Sequence, residues 1–410
     1  MLKEILKTFI LTVFLLIFGI FLAFLIPELF LRIFYPQSQY SIIYSEWGDF
    51  HKANSSFVFY GEIPKWRFTT PNFHGVPIHY NSKGLRDHEY TYEKPANVFR
   101  IMLLGNSWAE DMGSYLQNLH VKWLEKKLNK IARDGYKFEV INAGHYGYHD
   151  AQELIFFLRE GIKYKPDLLL IMYTGQYDDP DFVAEENGKL KVFYRSYTPN
   201  QKKIRNFVNF LRTHTHLGNF VLDRMRKNPI FKWLVKIFIK LNLIPQEKVR
   251  YAMFPEWDDL VKGIDKNSEL GKKVILQTNK MEEFKPVNKL LYIRFAQEMS
   301  NLGGKVVVID TWSILRPLQI QFLKEKEISI CNIPCVESEI EAVDKKFKSS
   351  NISHLNFICK NPEDYPIERP GRAGLYDKFL DLHRYGYGQN EIVANQILKF
   401  LIENKFVSCL

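Results

Sequence analysis

Charged residues are missing from Thr8 to Pro27, where "TFILTVFLLIFGIFLAFLIP" gives 20 consecutive uncharged positions. At 1.5 Å of rise per residue a helix of that length covers about 30 Å, the thickness of bilayer hydrocarbon. The pattern predicts one N-terminal transmembrane helix within residues 1–36. Residues 37–97 are rich in Tyr, Phe, Pro and His without a long period, and read as an irregular lead-in packed on a main domain. The pattern then becomes regular. Apolar runs at Phe99–Leu104, Phe138–Ile141 and Asp167–Tyr173 are separated by helical spacings at Val121, Leu124 and Leu128 and at Leu154, Phe157 and Leu158. The third run, "DLLLIMY", is apolar on both faces, as a central parallel strand is. Strand and helix in alternation predict the α/β class, a doubly wound and mostly parallel sheet with right-handed crossovers. A helix over Val287–Met299, a strand over Val306–Ile309 and a closing helix over Glu391–Ile402 continue it. The stretches 180–280 and 311–375 then read as insertions into a single domain over 98–410.

The flanks of the apolar run bear on its fate. A secretory signal is the rival reading, but signal cores are shorter, and no small-residue cleavage site follows this one, only Glu28, Leu29, Phe30, Leu31 and Arg32. Lys3 and Lys7 precede the span, and Arg32 is the only base between it and Lys52. That bias keeps the amino end cytoplasmic and predicts a single-pass protein of the cell membrane with its body exported.

The formal charge of +10 is local. Twelve Lys and Arg against Asp223 and Glu247 fall between Asn200 and Arg250, leaving the rest of the chain balanced. Within that stretch, "IFKWLVKIFIKL" (230–241) sets Lys232, Lys236 and Lys240 four apart, on one helical stripe, with Trp233, Leu234, Ile237, Phe238 and Leu241 around the remainder. Such a helix suits a membrane interface or a lid, and equally a packed helix with snorkelling lysines. Nucleic acid is not an expected partner, because an exported body would not meet it and no recognition motif is present.

Cys331, Cys335, Cys359 and Cys409 are compatible with disulfides or buried thiols. With His354 they fit no common structural zinc spacing, so neither a metal nor any other cofactor is expected. Asp178, Asp179 and Asp181 read as a solvated acidic loop.

Nucleophilic chemistry at a serine needs a base, a group that orients the base, and donors aimed at the developing oxyanion. Ser107 follows a strand directly and precedes a helix. Gly144, after the second strand, offers backbone N–H with no side chain in the way. Asp381 and His383 stand just ahead of the last helix, and ligands in such sheets gather at the carboxyl ends of the strands. His145 and His149, near Gly144, read as loop residues, with substrate contact or service as a reserve base as the alternative.

Four blocks in this order resemble the SGNH (GDSL-type) hydrolases, and in particular their bacterial membrane-anchored members. "LLGNSWAEDMG" is similar to the Gly-Asp-Ser block, with Asn106 in the Asp position. "NAGHYGY" is similar to the block that supplies the oxyanion glycine, "PDLLLIMYTGQYDD" to the Gly-x-Asn-Asp strand end, and "DLHRYGYGQNEIVA" to the Asp–His block. "YNSKGLRDHEY" and the anchor ending in "ELFLRIF" extend the match. The resemblance implies a flavodoxin-like SGNH fold and a Ser-His-Asp site with Ser107 as nucleophile, His383 as base and Asp381 as its orienting acid. Asp377 is the alternative acid. Oxyanion donors would be the N–H groups of Ser107 and Gly144 and the side chain of Gln176, which stands where the family has Asn; a one-residue shift would bring Tyr177 there instead. The activity implied is that of a serine esterase acting on an O-acyl group of a cell-envelope glycan or lipid. An O-acyltransferase on an envelope polysaccharide, or a binding protein that keeps the fold without the chemistry, fits the same blocks.

Overall fold

The computed structural model describes residues 2–37, 42–45, 48–59, 76–112, 114–173, 183–192, 198–225, 228–241, 243, 284–311, 315–333 and 387–407. The chain forms two compact units. One comprises residues 1–41, 57–75 and 197–253, and the other 42–56, 76–196 and 254–410.

The larger unit is built on five parallel strands: β1 (Val98–Gly105), β2 (Lys137–Gly144), β3 (Leu168–Tyr173), β4 (Lys305–Thr311) and β5 (Ser329–Ile333). Their order across the sheet is β5-β4-β3-β1-β2. This is the doubly wound order whose topological switch point lies between β1 and β3. Every residue of β3 is buried, as its unbroken apolar run requires.

Side chains alternate across the strands and build two cores. Met102, Leu104, Ile141, Leu169 and Ile171 face the helices Asp150–Arg159, Pro286–Asn301 and Pro317–Glu325. Ile101, Leu103, Val140, Leu168 and Leu170 face His120–Ile131 and the closing helix Tyr387–Glu403, which contributes Val393, Ile397 and Leu401. The sheet is therefore sandwiched between two helical layers.

The sequence pattern shows four of these strands. The fifth, β5, and the helix before it fall inside the stretch 311–375 that reads as an insertion, so part of that stretch extends the sheet instead. The reason is physical: β5 is a five-residue edge strand with Asn332 exposed and two further positions half-buried, so it lacks the apolar run of a central strand. Cys331 on β5 is a buried free thiol, its pKa pushed up to about 12 by burial.

The smaller unit contains helix α1 (Leu2–Phe34). Its apolar stretch reaches a mean hydropathy of 3.1 and stays uncovered, and it is long and apolar enough to cross a membrane, a test that a signal sequence also passes. Three further helices, Pro199–His214, His216–Met225 and Pro229–Lys240, belong to the same unit, and the last coincides with the expected lysine-striped segment.

Candidate active site

β1 ends at Gly105, directly opposite Gly144 at the end of β2. The chain then turns at Asn106, whose Oδ1 accepts the N–H of Trp108 at 3.0 Å, and enters a single helical turn, α2 (Ser107–Glu110). Capping needs only a side-chain oxygen, so Asn serves here as Asp would. The turn lies across both strand ends. A Cβ at Gly144 would stand 2.5 Å from Glu110 N and 2.6 Å from the Ala109 carbonyl carbon, and one at Gly105 would stand 2.7 Å from Ala109 Cβ. Both glycines are thus demanded by the close approach of the turn that carries Ser107. Ser107 itself is half-buried at the carboxyl end of β1, at the switch point.

A buried polar frame fixes this turn from below. The segment "YNSKGLRD" folds tightly because Asn81 Oδ1 accepts the N–H groups of Lys83 (2.9 Å) and Leu85 (3.0 Å), and Gly84 adopts φ +76°. The fold turns Arg86 and Asp87 inward. The Arg86 guanidinium donates to the carbonyls of Glu110 (2.8 Å), Asp111 and Ser114. Asp87 accepts the Asn142 N–H on β2 at 2.7 Å and pairs with Lys122 at 2.7 Å. One short turn of chain thereby grips both the loop after α2 and the strand beside it.

Glu110, fully buried, closes the frame. Its carboxylate accepts from Tyr80 OH (2.6 Å) and from the N–H of Tyr146 (2.5 Å), and lies 2.9 Å from His51 Nε2. Burial alone would raise this carboxyl, but His51, with help from His145 and Tyr80, holds it down at about 2. Tyr80, His51, His145 and Tyr148 stack in a column with successive centroid separations of 3.8, 4.1 and 4.1 Å.

The far end of the chain joins the same loop. Helix α10 (Tyr387–Glu403; α3–α9 being the seven intervening helices among the described residues, in chain order) sends Asn390 into the interior. Its amide donates to Asp111 Oδ2 at 2.8 Å and to Ser114 Oγ at 3.1 Å, and its Oδ1 lies 3.3 Å from His120 Nδ1. Asp111 adopts a left-handed conformation (φ +43°) as it ends α2. The first turn of α10 is therefore latched to the residues that follow Ser107 in sequence.

Of the residues the sequence nominates, Ser107 and Gly144 meet through α2. The Gly144 N–H donates to Asn142 Oδ1 at 3.1 Å. His383, Asp381, Asp377, Gln176, Tyr177 and the Asp178–Asp181 loop lie outside the described residues. His145 is a poor candidate for the base: it is buried in the stacked column, and burial together with His51 pushes it down to about 3, leaving it a weak proton acceptor near neutral pH. His149 precedes the helix Asp150–Arg159, its N–H donating to Gln152 Oε1 at 3.3 Å. Sequence reasoning missed the roles of Arg86, Glu110, Asp111 and Asn390. The available signals were an Arg-Asp pair just after a glycine turn, acids following directly on the serine turn, and a lone Asn opening an apolar helix. Among the described residues no three His, Cys, Asp or Glu side chains converge as metal ligands would.

No family model and no curated protein matches the sequence. Among solved structures the chain is similar to TesA at 10% identity and a TM-score of 0.30, over 74% of this chain and 97% of that one. It is similar to a catalytic mutant of Axe2, an acetylxylan esterase from Geobacillus stearothermophilus, at 9% identity and a TM-score of 0.29, over 75% and 95% of the two chains. A GDSL-like lipase from Parabacteroides merdae gives 11% identity and a TM-score of 0.30, over 76% and 98%. Likenesses this remote say nothing of chemistry, which the chain's own residues have to carry.

Two outcomes are expected. Gly144→Ala forces α2 off the strand ends, so reactivity at Ser107 falls by at least about tenfold while far-UV circular dichroism shows a folded chain; unchanged reactivity would mean that the turn does not depend on this contact. The second concerns acid. Burial pushes His120 down from 6.5 to about 4 and, with His51, pushes His145 down to about 3. Below pH 6.5 the unfolded chain takes up protons that these folded imidazoles refuse, so each contributes a loss of up to about 1.4 kcal/mol per pH unit as pH falls toward those values. Glu110, held below its ordinary 4.5, adds a further loss beneath that pH. Urea unfolding midpoints of the full chain in detergent should fall from pH 6.5 to 4.5, and less steeply for His120→Gln. Identical slopes in the two proteins would contradict the role given to burial.

Proposed function

We propose that the chain is an SGNH-type serine esterase, tethered to the cell membrane by α1 with its body exported, that acts on an O-acyl group of an envelope glycan or lipid. The observation that carries this reading is the position of Ser107, on a turn clamped over two glycines at the switch-point end of the sheet, with α10 latched to the same loop by Asn390. His383 precedes Tyr387, where α10 begins, by four residues, a tether of at most about 14 Å. That reach supports a meeting of the Asp–His block with the serine.

In the proposed reaction Ser107 Oγ attacks the acyl carbonyl while His383 accepts its proton and Asp381 orients the imidazole. The tetrahedral oxyanion is met by the N–H groups of Ser107 and Gly144, with Gln176 as a third donor; the Gly144 N–H turns to the substrate from Asn142 Oδ1. The departing alkoxide takes the proton from His383, leaving an acyl-enzyme. Water attacks that ester, His383 takes the water proton, and the acid leaves as Ser107 is restored. A sugar hydroxyl in place of water would make the same site a transferase.

One observation favours a second reading. The Gly144 N–H is satisfied by Asn142 within the protein, as it would be in an envelope-binding protein that keeps the fold but not the chemistry.

A fluorophosphonate probe decides between the two. The full chain in detergent should be labelled at Ser107, Ser107→Ala should not be labelled, and p-nitrophenyl acetate should be hydrolysed only by the chain that labels. An unlabelled wild-type chain that is folded by circular dichroism would favour the binding protein and overturn the esterase.

A further inference from the structure

The end of α1 is hydrogen-bonded into the helices that follow it in the smaller unit. Glu28, one residue past Pro27, accepts the N–H groups of His216 (3.0 Å) and Leu217 (2.7 Å), which open the helix His216–Met225. Arg32 bridges Glu28 at 2.7 Å and donates to the His214 carbonyl at 3.1 Å, and the Gln37 N–H donates to His216 Nδ1 at 2.7 Å. The junction between the helices Pro199–His214 and His216–Met225 is thus fixed at the point where the apolar run of α1 stops.

Those helices are apolar where they should be wet. Phe207, Phe210, Ile230, Trp233, Phe238 and Leu241 are all exposed, Trp233 by 59% and Ile230 by 69%. Lys236 and Lys240 are exposed beside them, within the segment that holds the whole formal excess of positive charge. Ile230, Trp233, Leu234, Ile237, Phe238 and Leu241 follow the spacing of one helical face. Of the lysine-striped segment's described side chains, Trp233 and Phe238 are exposed and Leu234 and Ile237 half-buried.

We infer that the helices of residues 199–241 lie in the headgroup–acyl boundary of an anionic phospholipid leaflet, beside the exit of α1. A bilayer is the occupant because the span itself brings it there: a group bonded to the end of a membrane helix sits at the interface by construction. Exposed Trp and Phe enter the boundary, where amphipathic rings are favoured, and the lysines meet the phosphates. The inference rests on α1 being a span and is independent of the esterase chemistry.

The test uses the full chain in nanodiscs of phosphatidylglycerol or of phosphatidylcholine, each with and without brominated acyl chains. Trp233 emission is taken as the difference between wild type and Trp233→Phe. The expected result is a blue-shifted Trp233 signal that is lost to bromine in phosphatidylglycerol and retained more fully in phosphatidylcholine, with the loss abolished by Lys232→Glu, Lys236→Glu and Lys240→Glu together. An unquenched Trp233 in a chain that resists alkaline extraction overturns the docking while leaving the span intact, as does quenching indifferent to lipid charge. A chain extracted by alkali overturns span and docking together. None of these outcomes touches labelling at Ser107, so failure here and failure of the esterase reading are told apart.

Discussion

One buried amide holds the candidate site together. Asn390 reaches across 279 positions of sequence to Asp111, and with Ser114 and His120 it anchors the first turn of α10 against the loop that leaves Ser107. Each of these interior bonds contributes about 0.5–1.5 kcal/mol net. The latch therefore ties the burial of α10 to the loop that follows Ser107.

The frame beneath α2 works in the same way. Arg86 answers three carbonyls, Asp87 answers the Asn142 N–H, and Glu110 gathers Tyr80, His51 and the N–H of Tyr146. No member of this frame meets Ser107 Oγ. Their role is to fix the backbone that carries it, so that the hydroxyl sits above the strand ends without reorganising.

The sequence makes legible what periodicity encodes. β3 announces itself as "DLLLIMY", buried at every position, and the helices around Val121, Leu154, Phe295 and Ile397 follow from their spacing. β5 escapes because a short, partly exposed edge strand has little pattern to show. Ser107 is legible because a strand running straight into a serine turn is a local feature. Gly144 is legible too, although its strongest constraint is the packing of Ala109 and Glu110 and not only room for a substrate. Arg86, Glu110 and Asn390 leave only a faint local signal, because their partners lie 24 to 279 positions away and no local spacing records such a pairing.

We propose that the latch at Asn390 matters because it would deliver His383 to Ser107. A double-mutant cycle on the rate of fluorophosphonate labelling measures this directly. Asn390→Ala is expected to slow labelling by at least about tenfold in the wild-type background and by less than about twofold when His383→Ala is already present. The same slowing factor in both backgrounds would show that the two residues act independently, and would contradict it.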